Sequence, residues 1–176
     1  MKLSPRFGVL TGLLVGLWNI SCFTIVSRLN SFFSIGIPPE RIRAYSGLFG
    51  LIILILGIYL GIKAAKRKSA GVISYGQAVK TGVLIAVITA AIVACFGFLY
   101  CTVINPGYTN FMVSEAEKTL IAAKKAPAEI AQQLERVRNE FSTGSQVLQA
   151  LIVQSVVGTI SSLIISATEY SKKPVS

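Results

Sequence analysis

Asn19, Thr24, Thr89, Gln149, Gln154, Ser155, Thr159 and Ser162 are polar side chains inside long apolar runs of this chain, and Asn19, Thr89, Gln154 and Thr159 are the ones that could line a path together. None of them ionises. An amide or hydroxyl surrounded by hydrocarbon needs a hydrogen-bond partner, because no water is there to supply one. The chemistry on offer is hydrogen bonding between helices, or polar contact with a substrate. Asn19 and Gln154 lie at similar depth in their runs and are expected to bond to each other. Asn19 shares a helical face with Gly12 and Gly16, so that face is expected to meet the run that carries Gln154.

Most catalytic chemistry lacks its parts. The 176 residues include no His, and all seven acidic residues are Glu. A proton relay, a zinc site and a Ser-His-Asp triad are excluded in their usual forms. Glu115, Glu117, Glu129, Glu135 and Glu140 alternate with Lys and Arg, as surface pairs on helices do. No phosphate-loop motif occurs, and Gly8, Gly12 and Gly16 are not spaced as a dinucleotide fingerprint. The three cysteines, Cys22, Cys95 and Cys101, form neither a CxxC pair nor an even set. The expected protein is not an enzyme and carries no cofactor and no metal.

The elements that must position these groups are set by hydropathy. Hydrophobic residues make up 53% of the chain, charged residues 14%, and the mean hydropathy is +0.67. A soluble domain carries about 25% charge, so much of this surface faces lipid. Four apolar runs, 7–26, 44–62, 79–100 and 147–168, are each long enough to cross a bilayer core of about 30 Å. The expectation is an all-α, integral membrane four-helix bundle forming a single domain over 1–176. The first run is too long for a cleaved leader and has no A-x-A site. Pro39 and Glu40 mark the start of the second helix. The net charge of +10 is concentrated near span ends, as membrane topology demands, so no nucleic-acid partner is expected. Lys63, Lys66, Arg67 and Lys68 anchor the second span. Together with Lys2, Arg6, Lys80, Lys172 and Lys173 they place both termini and the 63–80 connection in the cytoplasm.

Small residues recur every four positions within the spans. Gly8, Gly12 and Gly16 do so in the first, Gly82, Ala86 and Ala90 in the third, and Gly158 and Ser162 in the fourth. Such stripes let helix backbones approach closely in lipid.

The segment between spans three and four, 102–146, is expected to lie outside the cytoplasm as an amphipathic helical hairpin over about 108–141. Ser114-Glu115-Ala116-Glu117 reads as a capping box, and Pro127 as the restart of a second helix. Ile130, Leu134, Val137 and Phe141 then share one face. That face is expected to rest on the bundle, the membrane surface or a protein partner. Phe32, Phe33, Ile35 and Ile37 in the shorter outer loop are natural contacts for it.

GIYLGIKAAKRK (57–68), then GVISYGQAVKTGVLIAVI (71–88), a charged helical segment and a last apolar span follow in order. In these features the chain resembles the bacterial membrane family known as domain of unknown function 4199. The resemblance implies a multi-span protein of the bacterial inner membrane and no particular activity. Two functions remain open from the sequence. One is a non-enzymatic assembly or interaction module that meets a partner through its outer helices. The other is a small transporter or channel subunit, working as a homo-oligomer, with a polar path lined by spans one, three and four.

Overall fold

The computed structural model describes residues 3–26 and 39–170. Among them, six α-helices follow in order. α1 is Leu3–Ser21 and runs on into a π-helical turn, Cys22–Val26. α2 is Pro39–Lys68. α3 is Tyr75–Leu99, extended by a second π-turn, Tyr100–Ile104. α4 is Tyr108–Ala122, α5 is Pro127–Glu140 and α6 is Thr143–Glu169. The stretches Ser4–Ile25, Arg41–Lys68, Tyr75–Ile104 and Thr143–Glu169 are long and apolar enough to span a bilayer. Leu10, Leu17, Leu56, Leu60, Ile160 and Ile164 are exposed on the outside of the bundle, a surface that only lipid solvates cheaply. The protein is a membrane protein built on four helices.

Most of the spans run past the apolar windows because helical hydrogen bonding continues until something caps it. α3 starts at a true capping box: Ser74 Oγ accepts from Gln77 N, and Gln77 Oε1 accepts from Ser74 N, both at 3.3 Å. The box expected at Ser114 is not one. Ser114 lies inside α4, which starts six residues earlier at Tyr108. The turn at Asn105-Pro106-Gly107 leads straight into that helix, and burial of Tyr108 holds its first turn in place. Pro127 does open α5, at a position where a missing N–H costs nothing.

The small residues set the packing. Gly8, Gly12 and Gly16 lie under Ile88, Ile92 and Phe96 of α3, so α1 and α3 run parallel with a constant offset. A Cβ on Gly12 would stand 2.8 Å from Ile92 Cβ. The glycine face therefore meets the third span and not the fourth, contrary to the expectation drawn from Asn19. Branched and aromatic knobs on α3 fill the groove that the glycines leave. α3 and α6 are antiparallel, with Gly82 against Ser162 and Gly158 against Ala86. Ala90 is buried on the same side of α3. α1 and α2 are antiparallel, with Thr11 on Gly57 and Phe7 beside Gly61. Leu54, Ile58, Ile62, Ile85 and Ala86 form a buried apolar core in the half of the bundle that includes the 63–80 connection.

At that end Lys66 pairs with Glu169 at 3.2 Å, tying α2 to α6. Lys63 donates to Tyr59 Oη at 3.1 Å, and Arg67 and Lys68 are exposed. The start of α1, the 69–74 connection and the end of α6 all lie at this end. The α4–α5 hairpin covers the other. Its stripe turns inward: Ile130, Leu134 and Val137 are half-buried and Phe141 is buried. Phe32, Phe33, Ile35, Ile37, Lys2, Lys172 and Lys173 lie outside the described residues.

Candidate functional site: a capped cavity between the spans

A cavity of about 270 Å³ lies between the four spans at the hairpin end. Each span gives it one helical stripe. α1 contributes Gly16, Asn19, Ile20 and Phe23, and α2 contributes Arg43, Ser46, Gly47 and Leu51. α3 and its π-turn contribute Val93, Phe96, Gly97, Tyr100 and Cys101, and α6 contributes Gln146, Gln149, Ala150, Val153 and Gln154. Spacings of three and four residues put each set on one face. Tyr108, the first residue of α4, adds the roof.

The cavity exists because small residues face each other where large ones would have filled it. A Cβ on Gly47 or Gly97 would meet nothing within 4 Å. Gly8, Gly12, Gly16 and Gly82 behave in the opposite way: each already has a neighbour in contact distance. One sequence thus carries two kinds of glycine, some for close packing and some for space.

The floor is polar and uncharged. Asn19 Oδ1 accepts a hydrogen bond from Ser46 Oγ at 3.0 Å. Trp18 Nε1 donates to Ser46 O at 3.2 Å and holds that turn of α2 against α1. Gln154 is 7% exposed, and its Oε1 has no partner. The expected Asn19–Gln154 bond is absent. Both amides line the cavity, but Ser46 takes Asn19 because α2 packs directly on this face of α1.

The mouth carries charge. Arg43 Nη2 donates to Gln149 Oε1 at 2.7 Å and bridges α2 to α6. Its guanidinium lies 4.7 Å from the Phe141 ring centroid, a cation–π distance. Glu140 is 3.8 Å from Nη1 and largely exposed, so it screens Arg43 only weakly. Among the described residues, Arg43 is the one charged residue that lines the cavity.

The roof is aromatic. Phe23, Tyr100, Tyr108 and Phe141 meet edge to face with ring centroids 5.3 to 6.0 Å apart, the geometry their quadrupoles favour. Met112 and Cys101 complete this second buried cluster. Thr109 Oγ1 donates to Phe141 O at 2.8 Å and pins the start of α4 to the end of α5. Burial pushes the Tyr108 phenol well above its ordinary value; Arg43 opposes this without overcoming it.

Of the four intramembrane polar residues expected to act together, the structure gathers two. Asn19 and Gln154 line the cavity. Thr89 is fully buried elsewhere and donates to Gly8 O at 3.2 Å, sealing the α1–α3 contact. Thr159 is half-buried below the cavity. Sequence reasoning missed Arg43 and Ser46, although the stripes 43, 46, 47, 51 and 146, 149, 150, 153 were legible as helical faces.

The chain matches the family described as Protein of unknown function (DUF4199) over residues 6–168. It belongs to DUF4199. The matched stretch covers nearly all of the four spans, the hairpin and every described residue that lines the cavity, so the site is part of what the DUF4199 match spans. No curated protein matches the chain, and no solved structure does.

Proposed function

We propose that this DUF4199 protein is a non-enzymatic interaction module of a bacterial inner membrane, and that it binds through the hairpin-capped end of its bundle. The observation that carries the reading is the cavity itself, between four spans, with Asn19, Arg43, Ser46, Gln149 and Gln154 among its lining residues. Apolar walls with a few converging polar groups are the usual make-up of a binding pocket. The hairpin serves as the roof, and its polar outer face is the natural surface for a protein partner outside the cytoplasm.

The orientation in this proposal follows from the basic clusters, which favour the cytoplasm for the end that carries Lys63, Lys66, Arg67 and Lys68. A small transporter or channel subunit is the second reading, favoured by the shared position of Asn19 and Gln154 on one cavity. Under it the bundle needs a second conformation, since Val15, Leu54, Ile58 and Ile85 fill the lower half with zero exposure.

The test uses full-length protein in lipid nanodiscs and native mass spectrometry. The parent is expected to carry a bound molecule. The double variant Gly47→Leu/Gly97→Leu, at two positions where an added Cβ meets nothing within 4 Å, is expected to lose it while melting at the parent's temperature. Identical spectra for the two proteins would end the reading.

A further inference from the structure

The cavity runs down into the bundle beneath a cation. On α2 its lining extends from Arg43 to Leu51, and on α6 from Gln146 to Gln154. At 1.5 Å per residue each stretch is about 12 Å long. The hydrocarbon of one leaflet is about 15 Å deep, half of a bilayer core. Arg43 is the third residue of its span, and long basic side chains near span ends sit at the level of the lipid phosphates. The cavity therefore covers most of one leaflet, from the phosphates inward.

Below Arg43 the wall offers little but hydrocarbon. Ile20, Leu51, Val93, Phe96 and Val153 line it. Ser46 Oγ is taken up by Asn19, and Gln154 Oε1 is shielded inside the wall. A cavity of about 150 Å³ holds benzene, so about 270 Å³ suits a length of one acyl chain and not two. Gly47 of α2 is exposed and Val153 of α6 is 45% exposed, although both line the cavity. The seam between α2 and α6 thus opens sideways to the bilayer. A chain that enters there leaves its sister chain in lipid.

The mouth holds two opposite charges in order of depth. Arg43 donates to Gln149 Oε1, and its other N–H groups have no hydrogen-bond acceptor among the described residues. Glu140 stands 3.8 Å from Nη1 and further out, its side chain 56% exposed against 28% for Arg43. That distance is an ion pair and not a hydrogen bond, so both groups keep capacity for a partner. Gln146 Nε2 donates to Glu140 O at 3.0 Å and holds this turn against α6. A phosphate matches the guanidinium fork, and an N–H-bearing cation outside it matches the carboxylate. In an ethanolamine head the two are joined by an ethylene link. An anionic head without a cation would set a second negative charge beside Glu140. A quaternary ammonium has no N–H to donate.

We infer that the cavity holds one acyl chain of a phosphatidylethanolamine, its phosphate on Arg43 and its primary ammonium donating to Glu140. The inference rests on the reading of the cavity as a binding site. The lipid belongs to the leaflet at the hairpin end and needs no passage through the bundle, whose other half is filled by Leu54, Ile58 and Ile85.

Full-length protein is placed in nanodiscs of equal parts dioleoyl phosphatidylethanolamine, phosphatidylglycerol and phosphatidylcholine. The lipid retained on ejection is identified by native mass spectrometry. Retained phosphatidylethanolamine is expected, enriched about fivefold over either other lipid, the upper end of what an exposed ion pair supplies. Glu140→Gln, a change at an exposed position, should erase that enrichment while a phospholipid is still retained. Arg43→Gln should cut retention of all the lipids about tenfold, the size of one charge-assisted hydrogen bond. Gly47→Leu/Gly97→Leu should retain none in a protein that melts at the parent's temperature. Phosphorylethanolamine, the head without a chain, should not displace the lipid. Equal retention of the lipids by the parent, an enrichment unchanged in Glu140→Gln, or displacement by phosphorylethanolamine overturns the inference. If the parent carries a co-purified molecule other than a phospholipid, the inference fails and the interaction reading stands. If neither the parent nor the double variant retains any molecule, both fail.

Discussion

Asn19 Oδ1 accepts a hydrogen bond from Ser46 Oγ across the α1–α2 contact at 3.0 Å, while the buried Gln154 Oε1 on α6 has no donor. Interhelical side-chain bonds in membranes average about 0.6 kcal/mol and reach about 1.7. A double-mutant cycle on Asn19→Ala and Ser46→Ala, read from unfolding in detergent, should return a coupling in that range. The cycle on Asn19→Ala and Gln154→Ala should return none. Coupling in the second cycle and not the first would reverse the assignment.

The unpaired amide predicts a gain of stability on its removal. Gln154→Leu replaces a buried group whose oxygen has no partner with an apolar one of similar length. The unpaired oxygen costs about 1–3 kcal/mol. The variant is expected to be more stable than the parent by about 1 kcal/mol in the absence of ligand. Thermal unfolding in a detergent that does not enter the bundle measures this, and a destabilised variant would show that Gln154 is satisfied after all.

The two kinds of glycine predict opposite outcomes for the same substitution. Gly12→Leu drives a side chain into Ile92, and overpacking of this sort costs about 1–3 kcal/mol. Membrane insertion should survive, because the run becomes more apolar. Gly97→Leu starts where an added Cβ meets nothing within 4 Å and should leave the melting temperature unchanged. A Gly12→Leu protein as stable as the parent would contradict the parallel α1–α3 contact.

The roof predicts a dependence on alkaline pH. The Tyr108 phenol is held above its ordinary value, chiefly by burial, so its neutral form is the one that fits the fold. Its contribution is complete below the unfolded-state value, about 10. It is lost as pH rises through the higher folded value. Between pH 6 and about pH 9 the hairpin should therefore hold its packing unchanged. Above about pH 10 it should loosen, seen as faster proteolysis at the exposed Lys124 and Lys125. Tyr108→Phe should abolish the loosening. Loosening that begins below pH 8 would point to another group.

The proposed orientation predicts the sides of three connections. Reporter fusions at Lys68 should read as cytoplasmic, and fusions at Arg43 and Ala126 as outside. A cytoplasmic signal at Ala126 would invert the molecule and place the cavity on the inner leaflet.

Much of this architecture is written along the chain. Four charge-poor runs of bilayer length define four spans, since backbone polar groups in lipid can be satisfied only within a helix. Pro127 and the amphipathic pattern of 130–141 define the hairpin's second helix. The four-residue stripes show that the spans pack through small residues. These are local or periodic properties, and each is decided by the residues that carry it.

Which stripe meets which helix is not a local property. Gly8, Gly12 and Gly16 would serve against any neighbour, and only the tertiary packing gave them Ile88, Ile92 and Phe96. The same freedom let Ser46 in place of Gln154 take Asn19. Arg43 looked like one basic residue in a short loop until the bundle placed it against Gln149 and Phe141. The cavity is the extreme case, because an empty space belongs to no residue. It arises where Gly47, Gly97 and Ala150 happen to face inward together, and a sum over four helices decides that.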